Sequence, residues 1–213
     1  KYNSKNILTY VLNIDNNLVN QMDNNYNITP LFFCVICNNL EIFKILLNDK
    51  NLNNKIKWIT GKNEKIIYNI VDLCIVLNRE NFIKIIINNN IEIELSSYNK
   101  CIEFDNFEML KMLEIKDINI LNKTNNKKES LLSKSIKKIK EKVEQRKIII
   151  YLIEKGINLD YKNNIQPLNQ IVELNDIPLL NFFINSGANI NCLDNNNMNC
   201  LDIINKQRNE LLK

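Results

Sequence analysis

Across 213 residues the chain is 45% hydrophobic and 24% charged, with a formal net charge of +4, which is enough apolar material to bury a sizeable core as one domain or one continuous array. Histidine is absent and there are only three glycines, so the commonest general base and the usual material of phosphate loops are missing and catalytic readings start at a disadvantage. Even the longer fully apolar runs, Leu31 to Cys37 and Ile148 to Ile153, fall far short of the about 20 residues needed to span a bilayer.

Roughly one residue in five is asparagine, Lys and Ile are abundant, and Ala188 is the only alanine, far from average usage. The bias fits an AT-rich genome and lowers the weight given to Asn runs and scattered Lys. Six cysteines without clustered spacing fit a reducing compartment, so a cytoplasmic location is expected. The opening KYNSKN lacks an initiator Met and a charged-then-apolar leader, and the helix-like ending NELLK suggests a piece of a longer protein.

In chain order, a partial unit over residues 1–22 precedes the stretch TPLFFCVICNNLEIFKILLN, which starts at Thr29. Apolar residues recur there at helical spacing on either side of Asn38, as in Ile42, Ile45 and Leu46, so the segment reads as helix, short turn, helix. The same pattern returns in NIVDLCIVLNRENFIKIIIN from Asn69, SSYNKCIEFDNFEMLKMLEI from Ser96 and QPLNQIVELNDIPLLNFFIN from Gln166. Leu31, Val71, Tyr98, Leu131, Leu168 and Leu201 form one column, while Asn38, Asn78, Asp105 and Asn175 mark the break between the apolar segments. Pro30 and Pro167 sit in a first helical turn, where the missing N–H costs nothing. The unit boundaries are expected at 23–55, 56–91, 92–122, 123–160 and 161–193, with a partial unit at 194–213. The fourth unit follows the third after 27 residues and lacks Thr-Pro-Leu, which marks Asn90 to Lys100 as the weakest joint.

These residues resemble the ankyrin repeat family. Thr29-Pro30-Leu31 matches its opening, Glu41-Ile42-Phe43-Lys44-Ile45-Leu46-Leu47 its second helix, and INSGANIN from Ile184 and YLIEKGINLD from Tyr151 its closing segment. The residue after the column Leu, a His in the family, is Phe32, Asp72, Asn99 and Asn169 here, and only Gly156 and Gly187 remain at the closing turn. The resemblance implies an all-α fold: an ankyrin-type solenoid of stacked helix-turn-helix repeats with short hairpin loops. It also implies a non-catalytic scaffold that binds another protein through the concave face of a monomeric array, without cofactor or metal.

Within the second unit, Cys34-Val35-Ile36-Cys37 has the spacing of redox enzymes and zinc half-sites. Cys34 shares its column with Cys74, Cys101 and Ile171, where repeats pack on one another. Neighbouring helices about 8 to 10 Å apart place successive thiols beyond the about 7 Å between Cα atoms that a disulfide allows, so the column reads as packing. The remaining catalytic hints are weak: GKNEK at Gly61 lacks the other residues of a phosphate loop, and Glu92 and Glu94 have no base or metal partner in sequence. Trp58 reads as a plug over the junction between units.

Two surfaces remain as contact candidates. Residues Lys127 to Lys147 carry nine Lys or Arg against three Glu, giving a basic helix or helix pair that could meet nucleic acid or another acidic surface, although no aromatic residue interleaves. The resemblance supplies the other: the residues just before each inter-helix turn line the concave face. Here these are Ile36 and Cys37, Val76 and Leu77, Glu103 and Phe104, Ile136 and Lys137, and Glu173 and Leu174, with Tyr26 and Tyr68 at the preceding tips. A structural spacer within a longer protein is the remaining alternative.

Overall fold

A computed structural model describes residues 15–24, 26–60, 66–115, 117–124, 129–140, 144–160, 166–194 and 196–211. Most of the first partial unit, the GKNEK segment at Gly61, Lys127, Lys128 and Val143 lie outside the described residues. Contacts divide the chain into two compact units, residues 1–100 and 101–213. The fold is all-α, a solenoid of helix-turn-helix repeats.

One local design recurs. An inner helix ends in a residue with left-handed backbone, at Asn38 (φ 56°), Asn78 (53°), Asp105 (56°) and Asn175 (54°). The following N–H then folds back to a carbonyl five residues upstream, Asn39 to Cys34, Arg79 to Cys74 and Asn106 to Cys101, each at 2.8 Å. This is a Schellman closure with Asn or Asp where glycine is usual. Asparagine is the non-glycine residue that best tolerates this region. The residue after the turn then caps the outer helix: Asn39 accepts from Ile42 N–H, Asn106 from Met109 N–H and Asp176 from Leu179 N–H. The asparagines discounted as compositional bias therefore hold the turns and caps. Asn175→Gly is expected to leave thermal stability nearly unchanged, while Asn175→Val, with a branched side chain at φ 54°, should cost about 1–2 kcal/mol in urea unfolding.

In the first unit a 3-10 turn (Asn16–Asn20) is followed by α1 (Pro30–Ile36) and α2 (Leu40–Leu47). A hairpin comes next, β1 (Trp58–Thr60) antiparallel to β2 (Ile66–Tyr68), with Trp58 opposite Tyr68. It leads into α3 (Ile70–Val76), α4 (Glu80–Asn88) and α5 (Leu95–Glu103), the last of which crosses the boundary between units. The inner helices α1 and α3 pack side by side, as do the outer helices α2 and α4. Between the outer pair the Phe43 and Phe82 rings meet edge to face at 4.8 Å, both fully buried beside Leu46, Ile83 and Ile86.

The second unit continues with α6 (Phe107–Leu113), α7 (Ile118–Leu121), α8 (Leu131–Lys138), α9 (Gln145–Glu154), α10 (Pro167–Glu173), α11 (Ile177–Asn185) and α12 (Cys200–Leu211). Helix α10 packs on α8, α11 and α12, and α9 packs on α8 and α6. The basic segment is thus a packed helix pair, α8 and α9. Two buried amides join repeats: Gln170 Nε2 donates to Ser133 Oγ at 2.7 Å, and Gln145 Nε2 donates to Ile102 O and Asp105 Oδ1, each at 2.9 Å.

The loops on the opposite side from the inter-helix turns are tied in the same currency. Asn20 Oδ1 accepts from Asn53 N–H at 2.7 Å in the first unit. In the second, Asn122 Oδ1 accepts from Asn158 N–H and Asp160 Oδ1 from Asn189 N–H, both at 2.9 Å. Each bond links one repeat's loop to the next, so uneven repeat lengths are absorbed without leaving these backbone donors unpaired.

Candidate functional site

The inner-helix ends set out the candidate surface. Ile36 and Cys37 are exposed at the end of α1, and Val76 and Leu77 are half-buried at the end of α3. Arg79 fixes the first of these ends, its guanidinium donating to Val35 O at 3.3 Å and Ile36 O at 3.4 Å, and so satisfies carbonyls that the helix leaves open. In the second unit Phe104 is 46% exposed beside half-buried Glu103, and exposed Glu173 adjoins half-buried Leu174.

The pair expected at Ile136 and Lys137 is corrected by one residue. Ser130 caps α8, accepting from Ser133 N–H as Asn69 accepts from Asp72 N–H, so Leu132 rather than Leu131 stands in the column of Leu31 and Val71. The residues before the turn are then Lys137 and Lys138. Ile136 falls in the column of Val35, Ile75 and Val172, and it is fully buried. Lys137 is exposed and paired with Glu129 at 2.7 Å.

At the tips, Tyr26 is 72% exposed and Tyr68 is half-buried. Trp58 tilts over Tyr68 with ring centroids 5.9 Å apart, and its indole N–H donates to Tyr26 O at 3.1 Å. It is half-buried and works as a strut between two tips as much as a plug. Lys100 Nζ sits 5.5 Å from the centre of the Tyr68 ring.

The position after the column Leu is held by unlike residues. Phe32 is packed in the core, and Asn169 Nδ2 donates to Met198 O at 3.1 Å. Asp72 is 1% exposed, and its Oδ1 accepts from Ser97 Oγ at 2.6 Å and Ser96 Oγ at 3.2 Å. Asn69 Nδ2 donates to Ser96 Oγ at 3.1 Å, which closes a buried polar cluster between the start of α3 and the start of α5. Burial pushes the Asp72 carboxyl up from its ordinary range, against the lowering effect of the Ser97, Ser96 and Asn69 hydrogen bonds. Nearby Glu94, which forms an ion pair with Lys57 at 2.7 Å, adds to the rise. The joint expected to be weakest therefore carries a dedicated hydrogen-bonded cluster.

Cys34, Cys74 and Cys101 are buried in one column, and Cys37 is exposed. Burial, with a smaller contribution from Cys37, pushes the Cys34 thiol up to about 12; burial raises Cys74 as well. Both are poor nucleophiles, since the thiolate is the reactive form. A maleimide is expected to label Cys37 quickly and Cys34, Cys74 and Cys101 only on unfolding; fast labelling of Cys34 in the native state would overturn this.

Basic residues of the helix pair are largely neutralised where described. Lys134 pairs with Glu103 at 3.6 Å and Lys147 with Glu144 at 2.9 Å, and Arg146 is bonded to Asp176. Among the described residues no cluster of metal-ligating side chains occurs, and no helix is long and apolar enough to cross a membrane.

Residues 26–57 match the family model for the ankyrin repeat. No curated protein matches the chain in sequence. Among solved structures, the chain is similar to the ankyrin repeat domain of Bcl-3, described as a unique member of the IkappaB protein family. The TM-score is 0.66 at 16% identity, over 85% of this chain and 81% of that one. Ankyrin repeats generally serve protein–protein interaction and are typically non-enzymatic. One repeat therefore matches the ankyrin model in sequence, and over most of its length the chain shares the fold of an ankyrin repeat domain.

Proposed function

We propose that the chain is a non-catalytic interaction module that binds another protein through the ends of its inner helices. The observation that carries this reading is the uncovering of apolar side chains at those ends, Ile36 in the first unit and Phe104 in the second. The flanking columns at the same helices, Cys34, Val35, Cys101 and Ile102, are closed. Apolar groups left open beside closed columns on capped helix ends are what a partner surface would cover. The tips extend the surface in the first unit through Tyr26 and Tyr68, aromatic residues of the kind that anchor interfaces.

Combining Leu77→Asp with Phe104→Asp is expected to abolish capture of the partner in a pull-down from the source cell. The melting temperature should stay within a few degrees, since substitutions away from the core usually change stability by about 0.5 kcal/mol or less. A folded double variant that still captures its partner at full strength moves the interface off these ends. Binding lost steeply with added salt while the double variant is without effect would favour a phosphate-bearing or acidic surface contacted by the basic helix pair.

A further inference from the structure

We propose that α12, with the neighbouring helix α11, forms an open seat for an amphipathic helix of another polypeptide, one with an acidic residue in its first turn. This goes beyond the helix-end reading above and uses a different surface. Inner helices elsewhere pack on an outer helix, α1 on α2, α3 on α4, α8 on α9 and α10 on α11. Helix α12 packs on α10 and has no outer helix among the described residues. Asn199 caps it, accepting from Asp202 N–H at 3.0 Å as Asn69 accepts from Asp72 N–H, which sets its register. Leu201 then stands in the column of Leu31, Val71, Leu132 and Leu168, and Ile204 in the column of Cys34, Cys74, Ser135 and Ile171. All of those counterparts are buried, whereas Leu201 is 54% and Ile204 41% exposed.

The outer-helix wall is open at the same place. Four residues after the cap of an outer helix stand Phe43, Ile83, Leu110 and, in α11, Leu180. The first three are fully buried, and Phe43 meets the next outer helix there through Phe82. Leu180 is half-buried, since no further outer helix is described beside it.

Two features say what fits. The ninth residue after the inner-helix cap turns the chain back through a left-handed backbone at Asn38, Asn78, Asp105 and Asn175. Its counterpart Arg208 lies inside α12, which runs on to Leu211, so the chain does not fold back where an outer helix would begin. The second feature is charge. Arg208 shares one helix face with Leu201 and Ile204, is exposed, and forms no ion pair among the described residues. An outer helix runs antiparallel to its inner helix, so its first turn lies beside the inner helix's end. In this chain that first turn carries Glu41, Glu80 or Glu108. An occupant built alike sets a carboxylate beside Arg208 and lays its apolar face on Leu180, Leu201 and Ile204.

The test is an NMR titration of the full chain with a peptide copying Asn39 to Asn48, the sequence of α2. A staple joining the exposed Lys44 and Asn48 positions holds it helical and removes the cost of ordering a short helix. The amide signals of Leu180, Leu201 and Ile204 are expected to move saturably. Leu201→Asp and Ile204→Asp should each weaken binding about tenfold, as should Phe43→Ala in the peptide. Arg208→Glu should weaken it about threefold, and Glu41→Lys in the peptide should restore binding to that variant. The charge exchange leaves the apolar stripe intact, so it keeps the test valid if an Asp variant disturbs α12. No saturable shift, shifts only at other residues, full binding to Leu201→Asp and Ile204→Asp, or no restoration by the charge exchange would each overturn the proposal. Self-association of the parent in sedimentation, lost in Leu201→Asp, would give the seat to a second copy and overturn it as well. Leu77→Asp with Phe104→Asp should leave the titration unchanged, so the two surfaces stand or fall separately.

Discussion

Phe82→Ala is expected to cost the first unit about 3–5 kcal/mol, because it deletes a fully buried ring that packs edge to face on Phe43 and leaves a cavity between two outer helices. Trp58 is the only tryptophan and lies in the first unit, so its fluorescence in urea reads the unit that has been damaged. The midpoint should fall while the far-ultraviolet signal retains a helical component from residues 101–213. Phe43→Ala should act similarly, and the double variant should cost less than the sum by about 0.5–1.5 kcal/mol, the coupling of an aromatic pair in contact. A loss below about 1 kcal/mol for either single variant would contradict the core described between α2 and α4.

The second large effect concerns Asp72. Burial raises its pKa above the ordinary 3.8, so between that value and the raised one the folded chain binds more protons than the unfolded chain. Its contribution to stability is therefore complete below the unfolded pKa and is lost as pH rises through the folded one. Asp72→Asn keeps an acceptor for the Ser96 and Ser97 hydroxyls and cannot ionise. Relative to the parent, the variant should gain stability as pH is raised from acid toward neutral, measured by urea unfolding at a series of pH values. Asp72→Ala should instead lose about 1–3 kcal/mol at acid pH, where the carboxyl it removes is neutral, because the Ser96 and Ser97 hydroxyls and the Asn69 backbone N–H lose their acceptor. A difference between parent and Asp72→Asn that stays flat with pH would show that the carboxyl titrates alike in both states.

Helix positions and repeat columns were readable because they depend on local periodicity: Leu31, Val71 and Leu168 are buried in equivalent places, and Pro30 and Pro167 open their helices as expected. The fifth repeat slipped because Leu131 and Leu132 are adjacent and equally apolar. The register is decided by a hydroxyl, Ser130, that a hydrophobic pattern ignores. Turn asparagines were visible but undervalued, since a residue abundant for compositional reasons can still be the one residue a left-handed position accepts. The Asp72 cluster was out of reach: the sequence shows a His replaced by an acid, and only the fold brings Ser96 and Ser97, 24 and 25 residues later, onto its carboxylate. Exposure at the inner-helix ends was equally unreadable, because Ile36 and Ile136 look alike in sequence and differ by one position in register.

The left-handed asparagines also bear on how the molecule ages. Asparagine in solution loses its amide slowly, giving aspartate or, by attack of the following backbone nitrogen, isoaspartate. No asparagine here precedes a glycine, the neighbour that permits that attack most readily. Asp105 already occupies one of these turns at φ 56°, nearly the same as Asn38, so conversion to aspartate leaves the geometry intact. Isoaspartate inserts a methylene into the main chain itself, and the reach from Asn39 N–H to Cys34 O then fails. Two isomeric products of identical mass thus divide into a silent change and a broken turn, and old preparations of the protein should be judged by which of them has accumulated.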